Sequence, residues 1–600
     1  MLAGRAEPRR NLYAMTRVAI LCGILFLSGI GALIFETLWL RLSGLAFGNS
    51  VWAAALILSS FMAGLALGNA IAASSRVRRW RPLHFYALLE VLVAFLGCTI
   101  VFGLPLLGEL MRPVWQTLWN YQPTLLGLRF ILSFLILLVP TTAMGLTLPV
   151  LVEDPLLRQA NFGRAIGLLY GSNTLGAVAG AVLGEGYLIA AFGLYGTGVA
   201  AGLAVCIAAA IALLIAKIDG DTAALIPQRI FPLRLDVSYR PPWRLLVVSF
   251  GTGCILLSLE VIWFRFLRLY VASSPTAFAI MLAVVLAGIG FGGIVAGAIH
   301  RRSARLNHLL PVLLLLAAIS TFLSYLFFPG ELIPASTDVF GLSWRQIGLL
   351  SIALMFPVAL LSGILFPSIA ANVQASVGDW MNSTGITTLF NTTGAALGPF
   401  LASFVLLPGI GYQWSLILCA AGYVLLGILV SERSSWSIRR PIGLVTIALC
   451  AAVTLLLAIF PYNRADVHFG HARHFLGHLV TKIEGPSDTY QVLRYDLFGE
   501  PYRYQLLTSG FSMSGTAPQS QRYMRLFAYL PLAFRPESKD VLLICYGCGI
   551  TADAFVHESR LKRIDIVDVS KEVFGLADFY SGINYSNPLH DPRVTAFVQD

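Results

Sequence analysis

Several groups of residues in this chain could do chemistry. Cys545 and Cys548 stand at the C-x-x-C spacing of a redox pair or of half a zinc site, and no second C-x-x-C exists to complete the metal site. The same stretch, Val541-Leu-Leu-Ile-Cys-Tyr-Gly-Cys-Gly-Ile-Thr551, also reads as a buried strand running into a nucleotide-binding turn. Gly547 and Gly549 would let the backbone approach a ligand, and the helix start that follows could accept a polar group or lower a thiol pKa. Asp568 lies about 20 residues on, where a carboxylate can accept hydrogen bonds from ribose hydroxyls. In His468-Phe-Gly-His-Ala-Arg-His-Phe-Leu-Gly-His478, a helix would put His471, His474 and His478 on one face, a donor set for a transition metal or haem. Gly470 and Gly477 weaken that helix, and the other reading is an interfacial stretch. Glu36 and Arg41, and again Glu260 and Arg265, lie within or at the ends of apolar runs. A charge there costs at least ~2.5–3.5 kcal/mol, so such residues face a partner or a wet pathway.

The elements that must position these residues are mostly membrane helices. Hydrophobic residues make up 57% of the chain and charged residues 12%, with a mean hydropathy of +0.78, far from the charge content of a soluble protein. Apolar runs of bilayer length occur near 17–43, 51–73, 84–108, 124–151, 164–192, 194–216, 244–271, 276–299, 309–328, 346–372, 383–408, 413–430 and 440–460. No small-residue cleavage site follows the first run, so no cleaved signal peptide is expected. Residues 462–600 carry 14 basic and 15 acidic residues, so the +11 net charge belongs to the membrane loops. Arginines cluster before the first run and after the second, sixth, eighth and twelfth, which predicts a cytoplasmic N-terminus and gives no reason for a nucleic-acid partner.

The runs are duplicated. Phe35-Glu-Thr-Leu-Trp-Leu-Arg41 matches Leu259-Glu-Val-Ile-Trp-Phe-Arg265, and Asn173-Thr-Leu-Gly176 matches Asn391-Thr-Thr-Gly394. Each unit holds an even number of spans, which makes the repeat parallel, as in the two halves of major facilitator transporters. The expected organisation is membrane repeat 1 at 1–216, a basic linker at 217–243, repeat 2 at 244–430, an extra span at 431–461 and a His-rich interfacial segment at 462–482. A small β subdomain with a linking helix follows at 483–535, then an α/β domain at 536–600 in which strands alternate with helices.

From Ile483 onward the chain resembles the polyamine aminopropyltransferases (spermidine synthases), and as a whole it resembles bacterial proteins that fuse such a domain to a multi-span membrane region. The matching features run in order: Asp488-Thr-Tyr-Gln491, Ser509-Gly510, Tyr523 with Pro531-Leu532, Gly547 and Gly549, Asp568, His590-Asp-Pro-Arg-Val594 and Asp600. The resemblance implies a Rossmann-like, methyltransferase-type domain in a bacterial inner membrane protein. It also implies an adenosyl ligand such as decarboxylated S-adenosylmethionine, held by Gln491, Gly547, Gly549, Asp568 and Asp600, with a polyamine as the acceptor. Departures from the family are Cys548 for the turn's Asp, Met524 and Arg525 for His-Glu, and Ser570 for a second acidic residue. The family's catalytic Asp falls beyond the third strand, so the domain reads as incomplete at its C-terminus and catalysis is left open.

Two other functions stay open at this point. One is a 6+6 transporter with a vestigial or regulatory soluble domain; the other is an extracytoplasmic metal- or redox-linked accessory protein. Thirteen spans would put residues 462–600 outside the cytoplasm, unless one run is re-entrant. The oligomeric state cannot be read from the sequence.

Overall fold

The computed structural model describes residues 6–47, 51–74, 81–118, 121–155, 157, 161–222, 242–271, 274–302, 309–330, 342–431, 441–460, 477–485, 488–582, 584 and 586–599. The N-terminal three quarters is helical: α1 (Ala6–Phe47), α2 (Val51–Ala72), α3 (Pro82–Thr117), α4 (Gln122–Val152), α5 (Phe162–Leu183) and α6 (Ile189–Thr222). Then come α7 (Trp243–Leu267), α8 (Pro275–Arg302), α9 (Leu309–Leu326), α10 (Trp344–Val377), α11 (Trp380–Phe400), α12 (Leu407–Val430) and α13 (Pro441–Ala458). Among the described residues, 9 helical segments are long and apolar enough to cross a membrane, and two of these, Phe162–Ile218 and Trp380–Val430, each contain two helices. Shorter apolar helices cover Leu58–Ala72 and Gly443–Ala458. The chain is a multi-pass membrane protein.

Packing follows the duplication. Helix α1 packs on α5 as α7 packs on α11; α2 and α4 pair as α8 and α10 do; α3 and α6 pair as α9 and α12 do. The two sets meet where α5 packs on α8 and α11 on α2. Small residues make these crossings possible, because without a side chain two backbones can touch. A Cβ on Gly29 would fall 2.1 Å from the Asn173 carbonyl oxygen, and one on Gly253 would fall 2.2 Å from that of Asn391. Each set also carries a π-helical turn and a glycine kink at corresponding places. The π-helical turns are Gly184–Leu188 and Leu401–Leu406, and the kinks follow inside the next helices, at Gly193 (φ 67°) in α6 and Gly411 (φ 71°) in α12. Only glycine adopts that backbone without strain.

The C-terminal part has two sheets. Strands β1 (His478–Glu484), β2 (Thr489–Leu497), β3 (Glu500–Thr508) and β4 (Phe511–Gly515) form an antiparallel meander. Phe498 (φ 55°) and Gly499 (φ 86°) make the two-residue turn with both central residues left-handed that strand twist favours. Helix α14 (Pro518–Phe534) leads to a parallel sheet of β5 (Asp540–Ile544), β6 (Arg563–Asp568) and β7 (Val594–Val598), in that spatial order. Short helices α15 (Ile550–Val556) and α16 (Lys571–Gly575) make the first turns after β5 and β6.

Strand alternation gives the meander two apolar faces. Tyr490, Val492 and Leu506 join the core of the parallel sheet, while Leu493, Tyr495 and Leu507 join the core of the second helical set. The meander is therefore clamped between membrane bundle and α/β sheet. One boundary differs from the sequence reading: the subdomain starts at His478, not at 483. After α16 a 3-10 turn covers Ala577–Tyr580.

Candidate functional site

The glycine-rich turn after β5 is built from left-handed residues: Cys545 (φ 72°), Gly547 (φ 58°) and Gly549 (φ 77°). A Cβ on Gly547 would press on Ser514 at 2.9 Å, and one on Gly549 would meet the Tyr546 hydroxyl at 2.6 Å, which adds crowding to a left-handed backbone that already favours glycine at both positions. Asp568, 8% exposed, ends β6 beside this turn. Its Oδ2 accepts the Tyr546 N–H at 2.8 Å and its Oδ1 the Ser570 N–H at 2.9 Å. Each carboxylate oxygen has two lone pairs. One per oxygen stays available for ligand hydroxyls, and the backbone bonds fix the carboxylate's orientation.

Ser570, which stands where the resemblance implies a second acidic residue, has a structural duty. It caps α16 through the Val573 N–H, and its hydroxyl donates to Glu572 Oε2 at 2.9 Å. Tyr490 of β2 hydrogen-bonds Ser570 and lies near Asp488, Glu572 and Asp568; burial first, then these carboxylates, push its phenol up to about 12. Met524 packs its sulfur 3.7 Å from the Ser514 hydroxyl, and its carbonyl accepts from Thr551.

Gln491 is not brought to this site. It lies directly opposite Lys482 on β1 and Leu507 on β3, and cross-strand partners share a face. Lys482 sits over the Tyr412 ring of α12 at 4.7 Å, and Leu507 joins the membrane-side core. Gln491 thus faces the helical bundle, buried to 1% exposure with its Oε1 unpartnered, while its neighbour Tyr490 faces Asp568. Asp600 lies outside the described residues, as do His468, His471 and His474. His478 opens β1, a strand, so the one-face helical arrangement fails at that residue. Among the described residues no group of three metal-binding side chains is found.

The thiols do not have the lowered pKa that a helix start could give. Cys548 is 1% exposed beneath the turn, and burial pushes it up to about 11 despite hydrogen bonds to Ser514 and Tyr580. Cys545 is exposed, and partial burial together with the Asp568 charge raises its thiol as well. Both are free. A helix of 7 residues does not offset desolvation here, so the lowered pKa expected of a reactive pair is absent.

In the membrane the duplicated arginines have different partners. Arg41 makes an ion pair with Glu185 of the π-helical turn. Arg265, 5% exposed, donates from Nη1 to the Gly485 carbonyl oxygen at 3.0 Å, outside the bundle. Neither arginine pairs with the glutamate of its own motif. Glu90 is buried and accepts from Ser28 at 2.7 Å. Sequence reasoning assigned no role to Arg268, nor to Asp488 and Tyr490 within the Asp488-Thr-Tyr-Gln491 run; Arg268, at the end of α7, and Asp488, just before β2, form an ion pair of 2.8 Å. No local pattern marks a contact spanning more than 200 positions.

No family model matches the chain. Among curated proteins it is 33% identical over 79 residues to a polyamine aminopropyltransferase of Alkaliphilus metalliredigens, covering 13% of this chain and 27% of the relative. It is 32% identical over 78 residues to one of Clostridium perfringens, with the same coverage. It is also 28% identical over 118 residues to putrescine N-methyltransferase 2 of Nicotiana tabacum, covering 20% of this chain and 32% of the relative. The chain thus spans about a quarter of the length of the aminopropyltransferases it matches. Two similar solved structures are a fucose:proton symporter of E. coli (TM-score 0.42) and a human organic anion transporter (TM-score 0.40). Each is 16% identical, with 70% of this chain and 99% of the other covered.

Proposed function

We propose that this is an integral membrane protein of the spermidine-synthase-like type whose C-terminal α/β domain binds an S-adenosylmethionine-type nucleoside. The observation that carries the reading is Asp568, buried at the tip of β6 and oriented by the backbone of the glycine-rich turn. Sequence likeness to aminopropyltransferases and putrescine methyltransferases supports the ligand class. The reaction class that goes with decarboxylated S-adenosylmethionine is aminopropyl transfer. An amine nitrogen of the polyamine attacks the aminopropyl carbon, the C–S bond breaks, methylthioadenosine leaves and the amine's proton passes to a base. Calorimetry on the full chain in detergent should show binding of methylthioadenosine that Asp568→Asn weakens by at least about 1.4 kcal/mol, or tenfold. A folded wild-type sample that takes up no nucleoside would refute the reading.

The finer architecture belongs to the same proposal: two parallel six-helix repeats plus α13, followed by a Rossmann-like domain, in a bacterial inner membrane with a cytoplasmic N-terminus. The arginine clusters support that orientation, and an odd number of crossings then puts β1–β7 on the opposite side. An inactive alkaline phosphatase fused after Asp600 would reverse this assignment.

A second reading has its own observation. Glu36 and Glu260 occupy equivalent places in the duplicated motif, each within an apolar helix of its own set. Two carboxylates so placed suit a cationic substrate passing between the halves. In reconstituted vesicles Glu36→Gln and Glu260→Gln should then each abolish uptake of a radiolabelled polyamine; uptake unchanged in both variants counts against transport.

A further inference from the structure

We infer that Arg265 of helix α7 is a positioning residue for the nucleoside site, acting through the turn between β1 and β2; this rests on the nucleoside reading above. The contacts form an unbroken series. Arg265 donates to the Gly485 carbonyl at 3.0 Å, and Arg268, the C-cap residue of α7, pairs with Asp488 at 2.8 Å. Gly485 and Asp488 close the turn on each other through the Gly485 N–H and Asp488 carbonyl at 2.9 Å. Asp488 also accepts from the Ser509 hydroxyl at 2.8 Å, tying the turn to the β3–β4 corner. On its other side the turn touches the site. A Cβ on Gly485 would fall 2.9 Å from the Glu572 carboxyl carbon, so that carboxylate rests directly on the Gly485 backbone. Glu572 holds the Ser570 hydroxyl, and Ser570 donates its N–H to Asp568. The two arginines thus seat the turn, the turn seats Glu572, and Glu572 with Ser570 sets the carboxylate that would grip the ribose.

The duplication is consistent with this role. Its counterpart Arg41 is held inside the bundle by Glu185. The offset of 218 that relates Asn173 to Asn391 and Gly193 to Gly411 puts Ser403 where Glu185 stands, so the second set has no carboxylate at that position. Arg265 therefore points its guanidinium at the docked domain, and the membrane helix that bears Glu260 is mechanically joined to the nucleoside cleft.

The test is titration of methylthioadenosine into the full chain in nanodiscs, comparing wild type with Arg265→Ala, Arg265→Lys and Ser403→Glu. Arg265→Ala should weaken binding by about fivefold or more, the lower end of ordinary site-to-site coupling, and Arg265→Lys should restore most of it. Ser403→Glu removes nothing from the interface but offers Arg265 the partner that Arg41 has, and it should weaken binding as well. Wild-type affinity in both Arg265→Ala and Ser403→Glu overturns the inference. If Arg265→Ala does not fold, Ser403→Glu alone decides. A wild type that binds no nucleoside defeats the parent reading and this one with it, whereas a binding wild type with unaffected variants defeats this one alone.

Discussion

The first and second helical sets share a motif and use it differently. In α1, the arginine of Glu-Thr-Leu-Trp-Leu-Arg closes on a carboxylate of its own set; in α7, the equivalent arginine leaves the bundle to hold another domain. What the two sets keep in common is the close packing of their backbones, at Gly29 with Asn173 and at Gly253 with Asn391. What they do not share is the partner of one cation. Duplication therefore preserved the scaffold, and the difference marks where the second copy took on a new attachment.

That comparison can be broken first at its common part. Gly29→Val and Gly253→Val each drive a side chain into a carbonyl about 2 Å away, and each should cost about 4 kcal/mol or more, enough to lose folded protein. Monodisperse material on detergent size-exclusion chromatography for one variant and aggregation for the other would show that the two crossings are not equivalent. A smaller effect sharpens the difference between the sets. Arg41→Ala should lower Tm by a few degrees, about 1 kcal/mol for a pair that solvent partly screens, and should leave methylthioadenosine affinity as in wild type. If Arg41→Ala instead weakened nucleoside binding as much as Arg265→Ala, the separation of roles would be lost.

Much of the bundle was legible because a membrane helix announces itself by length and apolarity alone, and because the repeat fixes which helices correspond. The α/β part was legible wherever a strand ran into glycines, as at Val541–Gly549. Strand β4, Phe-Ser-Met-Ser-Gly, carries no β-branched residue and escaped notice, and β1 was hidden behind the histidine-rich stretch. Cys545 gave no warning of its left-handed backbone, since a non-glycine residue there is held by its surroundings. For Gln491 the alternation was readable but its direction was not. Period two says that Tyr490 and Gln491 face opposite ways, and only the docking of the meander on α12 decides which one meets Asp568. The partners of Arg41 and Arg265 are likewise products of tertiary structure, each set by a residue more than 140 positions away.

The glycine kink at Gly411 has a consequence of its own. A Cβ on Gly193 would meet nothing within 4 Å among the described residues, whereas one on Gly411 would lie 3.8 Å from the Glu484 side chain, at the end of β1. Extra residues in α12 at that kink would crowd the strand end on which the soluble part stands. Brevity there is thus a condition of tenancy: extra residues spliced in at 193 would protrude harmlessly, while the same splice at 411 would evict the whole C-terminal region from its seat.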